Sequence, residues 1–136
     1  MGQIGKALFD VLSTTHYLDP HDPIQGLQAP AGSSHILHIC FGYSDTFLAD
    51  VAKYQEEFSP DFTVIHSTVP VGISRQANAI HSPVRGQHPN LQEGIATFVK
   101  YIGGDKASEV ADYFRKAGIR VMLFDKQETT EAMKLF

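Results

Sequence analysis

Residue types able to do chemistry fall in a few short stretches of this chain. Gly2 and Gly5 stand three apart ahead of apolar residues at helical spacing, Ile4, Ala7, Leu8, Val11 and Leu12. Glycines so placed let backbone N–H groups at a helix amino terminus approach a pyrophosphate, and they match the back half of a G-x-G-x-x-G phosphate loop. A carboxylate about 20 residues further on accepts the two hydroxyls of an adenosine ribose in sites of that kind, and Asp19 occupies that place; the plainer reading is a turn residue before Pro20. Gly42-Tyr43-Ser44 and Ser67-Thr68-Val69-Pro70 each follow a short apolar run, the position at which open parallel sheets bind ligands. His66, His81 and His88, with Arg85, are a further candidate set around an anionic substrate group; for each histidine an ordinary hydrogen-bonded placement competes with that role.

Other chemistries are disfavoured. His35 and His38, three apart on one strand, point to opposite faces, and no H-x-x-H on a helix or C-x-x-C pair is present, so no metal site is expected. Cys40 is the only cysteine, which excludes an internal disulfide. A net charge of -4 with no long basic run argues against nucleic acid or an anionic membrane surface as partner. No apolar run is long enough to span a bilayer and nothing resembles a signal peptide, which makes a reducing cytoplasm the default location.

The elements that must position these residues follow from hydrophobic periodicity. A helix is predicted from Gln3 to about Ser13, and "HYLD" as a short strand ending at Asp19. Prolines 20, 23 and 30 and glycines 26 and 32 make the next segment a loop or strap without regular structure. "HILHICF" (35–41) and "FTVIHSTV" (62–69) are buried strands, the first containing Cys40. Between them a helix capped by Ser44 or Asp45 turns Phe47, Leu48, Val51, Ala52 and Phe58 to the core. A short helix over 74–79, strand character at "IH", a helix over 91–98, a strand at "KYIGGD", a helix ending at Gly118, a strand "RVMLF" and a final helix complete the chain. Strands alternating with helices predict an α/β layered domain with a largely parallel sheet.

The stretches "ICFGYSD", "HSTVPVG", "HSPVRG" and "ETTEAMKL" occur in the order found in one family. Along nearly its whole length the chain resembles the amino-terminal NAD-binding domain of the UDP-glucose/GDP-mannose dehydrogenases and, more distantly, 6-phosphogluconate dehydrogenase-like domains. "STVPVG" after an apolar strand is the most specific piece. The resemblance implies a Rossmann-like, doubly wound, mostly parallel sheet lacking its first strand, a single incomplete domain over residues 1–136. It implies that Gly2, Gln3, Ile4 and Gly5 cradle the pyrophosphate of NAD and that Asp19 faces the ribose. Gly42, Tyr43, Ser67, Thr68 and Val69 would run beside the cofactor, with Thr68 near the nicotinamide and a catalytic water. Lys134, in the E-x-x-K-L helix with Glu131, would stabilise charge developing as a sugar alcohol is oxidised.

The departures narrow that expectation. Val84 stands where the family has the glutamate of Ser-Pro-Glu, and the family's nucleophilic cysteine belongs to a later domain. The expected function is NAD(P) binding related to nucleotide-sugar dehydrogenases, not catalytically complete alone. The alternatives are a cofactor-free binding or assembly module and a small enzyme built on His81, Arg85 and His88. Without the first strand, 35–41 becomes an edge with no Lys or Pro to discourage pairing, so the "THYLD" segment fills the vacancy or two chains form a homodimer.

Overall fold

The computed structural model describes residues 3–84 and 99–135. The expected helix over 91–98 and most of the polar loop before it lie outside those residues. Helix α1 (Gln3–Leu12) is followed by a single 3-10 turn at Pro23–Gln25 and strand β1 (Ser34–Ile39). Next come α2 (Phe47–Phe58), β2 (Pro60–Ile65), α3 (Ile73–Gln76) and β3 (Ile80–His81). The carboxy-terminal part supplies β4 (Lys100–Gly103), α4 (Ala107–Lys116), β5 (Val121–Phe124) and α5 (Gln127–Leu135).

The strands form one sheet in the order β1-β2-β3-β4-β5. β1, β2 and β3 are mutually parallel, β4 runs antiparallel to β3 through the pair His81 and Gly103, and β5 is parallel to β4. Alternation along the strands sends Ile36, Phe62, Val64 and Ile80 to the face covered by α1 and α4, where Leu8, Leu12, Val110 and Phe114 meet them. It sends Ile39 and Ile65 to the opposite face, against Phe47, Val51 and Ile73 of α2 and α3. Helices on both faces of a mostly parallel sheet make this a Rossmann-like, doubly wound α/β fold.

Several expectations need correction. The "HYLD" segment is turn and coil: its strand never forms because Tyr17 is left 89% exposed and only Leu18 reaches the core. It therefore does not occupy the place beside β1, which among the described residues stands at the edge of the sheet. Cys40 lies one residue past the end of β1. The cap of α2 is Thr46, whose side chain bonds Asp50 and makes no capping hydrogen bond, and Ala52 is exposed. The proline-rich strap does contain local order. A bridge between Asp22 and Leu27 closes the 3-10 turn, Gly26 takes the left-handed conformation (φ 77°), and Gly32 N–H donates to the Glu57 carbonyl.

Gly103 fixes how closely α5 approaches β4. A Cβ there would lie 2.6 Å from Thr130 Oγ1 and 2.8 Å from the Lys126 carbonyl oxygen. Gly103→Ala is expected to cost about 3 kcal/mol through overpacking. Gly42→Ala, with open space at the same position, should stay within about 0.5 kcal/mol of wild type. Thermal melts of the two variants make the comparison, and equal stability would remove the close-packing role of Gly103.

Candidate functional site

Two loops meet where β1 and β2 end. The Ser67 hydroxyl donates to the Phe41 carbonyl and so ties the loop after β2 to the loop after β1. Val69 is buried beneath them, while Gly42, Tyr43 and Thr68 are exposed. The Tyr43 ring leans on Phe47, 5.6 Å between centroids. At Gly42 no atom stands within 4 Å of where a Cβ would be, so the protein's own packing does not demand glycine there. A bare, accessible backbone beside an exposed hydroxyl at the carboxyl ends of parallel strands suits a dinucleotide lying across them.

The remaining residues suggested by the sequence are placed as follows. At the start of α1, Gln3 is exposed and Ile4 and Gly5 are half-buried, Ile4 packing on the core. Asp19 is exposed in coil, without the strand expected to carry it. His81 is fully buried, its ring nitrogens 2.9 Å from Thr130 Oγ1 and from the Ser67 carbonyl oxygen, both within the protein. Gly2, Arg85 and His88 lie outside the described residues.

Helix α5 stitches the strand-end loops together. Glu131 is fully buried, and its two carboxyl oxygens accept the N–H groups of Gly72 and Ser74, each at 2.9 Å, which caps α3 from a distant part of the chain. One turn later the Lys134 ammonium donates to the Val84 carbonyl at 3.0 Å. Gln127 Nε2 donates to the Ala79 carbonyl, and Arg75 makes two hydrogen bonds to Glu128. The Arg75 guanidinium holds the Glu128 carboxyl down at about 2. Lys134, expected to act on substrate, thus spends one donor on the turn where the resemblance calls for an acidic side chain.

Sequence reasoning missed a polar layer under α1 and α4. Lys100, 4% exposed, donates from Nζ to the Ser82 carbonyl at 3.0 Å and lies over the Phe114 ring. His66, 1% exposed, places Nε2 2.9 Å from His38 Nδ1, and His38 Nε2 is 3.1 Å from the Tyr113 hydroxyl. His16 stacks on the Tyr113 ring and bonds its backbone carbonyl. Burial drives the chemistry of this layer. It pushes Lys100 down to about 7, His38 down to about 3, and His66 well below its ordinary value, with the Lys100 charge adding to both histidine shifts. The same burial pushes Cys40 and Tyr113 up to about 12. A signal existed in the sequence: histidines interrupt the apolar runs "HILHIC" and "TVIHST" at nearly matching register on one face.

Among the described residues no group of three or more His, Cys, Asp or Glu could hold a metal ion, and no helix is long and apolar enough to cross a membrane. No protein-family model matches the sequence, and neither does any curated protein. Among solved structures the fold is similar to that of a UDP-D-ManNAc dehydrogenase from Pyrococcus horikoshii, with a TM-score of 0.64 and 17% identity. The match covers 96% of this chain and 41% of that one. At this identity the likeness shows the fold, and the chain spans less than half the length of the dehydrogenase.

Proposed function

We propose that this chain is a nicotinamide-dinucleotide-binding domain of the nucleotide-sugar dehydrogenase type, taking part in oxidation of a sugar hydroxyl and not catalytically complete by itself. The observation that carries this reading is the meeting of Gly42, Tyr43 and Thr68 at the carboxyl ends of β1 and β2, on a fold shared with a UDP-D-ManNAc dehydrogenase. In it Gln3, Ile4 and Gly5 lie toward the pyrophosphate, Asp19 toward the adenosine ribose, and Gly42, Tyr43 and Thr68 along the cofactor, while Ser67 and Val69 hold the loops. Lys134 faces charge developing on the substrate oxygen. When bound, the oxidised nicotinamide supplies the hydride acceptor.

Calorimetric titration with NAD, NADP and UDP-N-acetylmannosamine tests the reading. Binding of at least one dinucleotide is expected, and heats at the level of dilution for all three up to millimolar ligand would overturn it. Asp19→Ala is expected to weaken NAD about tenfold, the loss of a charge-assisted hydrogen bond, with little effect on NADP, whose 2'-phosphate the carboxylate does not favour. Equal weakening of both dinucleotides would remove Asp19 from the site.

A second reading is favoured by β1 standing at the sheet edge. There the domain is an assembly module and two copies pair through β1 about a two-fold axis. A sedimentation mass of two chains is expected, with Leu37→Pro giving the monomer mass; a monomer at every accessible concentration excludes the pairing.

A further inference from the structure

The strap between α1 and β1 is closed by a side chain where its backbone cannot close it. Asp22 and Leu27 exchange both backbone hydrogen bonds, at 2.8 and 3.0 Å, around the turn at Pro23–Gln25. Two residues further out the same ladder would pair Pro20 with Ala29, but Pro20 has no N–H and that pair cannot form in full. Ala29 N–H donates instead to His21 Nδ1 at 3.2 Å. A backbone N–H can only donate, so Nδ1 is bare and the proton of the neutral ring sits on Nε2. The ring itself is seated on α2, its centroid 5.4 Å from that of Tyr54 and 5.2 Å from that of Phe58, both contacts edge to face.

We propose that His21 is a proton-operated latch, in which the neutral ring holds the returning arm of the strap at Ala29 and a proton on Nδ1 releases that arm. The protonated ring presents an N–H where Ala29 presents another, so one of the two has to turn away to water. The ring is the half that stays. Its contacts with Tyr54 and Phe58 do not use Nδ1, and beside Phe58, the last residue of α2, the helix dipole favours a cation. The titratable and charged residues around it are Tyr54 in contact, Lys53 with its Nζ 5.4 Å over the Tyr54 ring, Glu57 next to Phe58, and Asp19 and Asp22 on the strap.

The movement is confined to a short stretch. Beyond Ala29, Gly32 N–H donates to the Glu57 carbonyl at 3.1 Å and the Ser34 hydroxyl to the Phe58 carbonyl at 3.0 Å. Before it, the Asp22 and Leu27 pair closes the turn through backbone groups alone. None of these groups changes charge near neutrality, so release frees residues 28–31 and leaves the turn and the entry to β1 in place. Imidazoles gain and lose charge between about pH 5 and 8, which sets the range over which the latch works. It needs no dinucleotide, and the domain's reading as a dehydrogenase part stands or falls apart from it.

Hydrogen exchange of the whole chain, followed by NMR with no ligand added, tests the latch. Protection of the Ala29 amide, corrected for the intrinsic exchange rate, is expected to fall about tenfold from about pH 7.5 to about pH 5.5, while that of Leu27 and Gly32 changes less than about twofold. His21→Asn keeps a side-chain acceptor that does not titrate, and in it Ala29 should be equally protected at both pH values. His21→Phe keeps an aromatic ring against α2 but has no acceptor, and in it Ala29 should be unprotected at both. Each variant is checked for folding by its thermal melt. The proposal is overturned by wild-type Ala29 protection that does not change with pH, by a fall of equal size in His21→Asn, or by full protection in His21→Phe. It is overturned as well by a fall shared equally among Leu27, Ala29 and Gly32, which is the whole strap loosening in acid, and by nitrogen resonances that place the neutral ring's proton on Nδ1.

Discussion

Acidification from neutrality to about pH 5 is expected to remove about 4 to 6 kcal/mol of folding stability, most of what a domain of this size holds. The source is three histidines, His66 and His81 buried and His38 half-buried. His38, His66 and His81 all have folded values depressed below the ordinary 6.5, chiefly because burial disfavours the imidazolium. An unfolded chain takes up protons on these rings as pH falls through 6.5 while the folded chain does not, so the unfolded state binds more protons and stability falls with pH. His38 and His66 each contribute about 1.4 kcal/mol per pH unit below that point, and His81 adds in the same direction. Lys100 acts at the other end of the scale. Its folded value near 7 against 10.5 in the free chain means that stability rises as pH climbs above 7. Urea midpoints measured from pH 8 to pH 5 read the effect directly; a flat profile would show that the rings are hydrated, and His66→Gln should remove roughly a third to a half of the slope.

The fold was legible because its signals are local. Apolar runs bounded by Gly, Pro and Ser marked β1 and β2, and the Val110, Ala111 and Phe114 stripe with left-handed Gly118 (φ 82°) marked α4 and its stop. Where a residue's state depends on distant partners, local reasoning ran out. "HYLD" alternates like a strand, but no described strand stands where it would pair. Ala52 has core chemistry on a helix face that packing leaves exposed.

The candidate site divides along the same line. Gly42, Tyr43 and Thr68 were legible from the rule that ligands lie at the carboxyl ends of parallel strands. The Lys100 layer was legible only at His66, because its other members come from β1, β4 and α4 and each alone looks ordinary: a lysine opening a strand, a tyrosine on a helix. Lys134 carried a role by resemblance, and its bond to Val84 depends on a contact fifty residues away.

Glu131 shows how much stability such a distant contact can hold. Its carboxyl oxygens are the acceptors for Gly72 N–H and Ser74 N–H, and α3, four residues long, supplies no side-chain cap of its own. Glu131→Ala leaves two donors without partners and a void beneath the loop that carries Thr68, and is expected to cost about 4 kcal/mol. Glu131→Gln is expected to recover only part of that, since one of its two positions becomes an amide N–H group facing a backbone N–H. Glu128, one turn earlier, offers the control. Its partner Arg75 is 48% exposed, so Glu128→Gln should cost no more than about 1 kcal/mol. Hydrogen exchange adds a reading that global stability does not: in Glu131→Ala the amides of residues 67–74 should lose protection before those of β1 and β2, because the cap holds that loop and not the strands. A Glu131→Ala variant as stable as Glu128→Gln, or one whose exchange rises uniformly across the sheet, would mean that the loop holds its shape without α5.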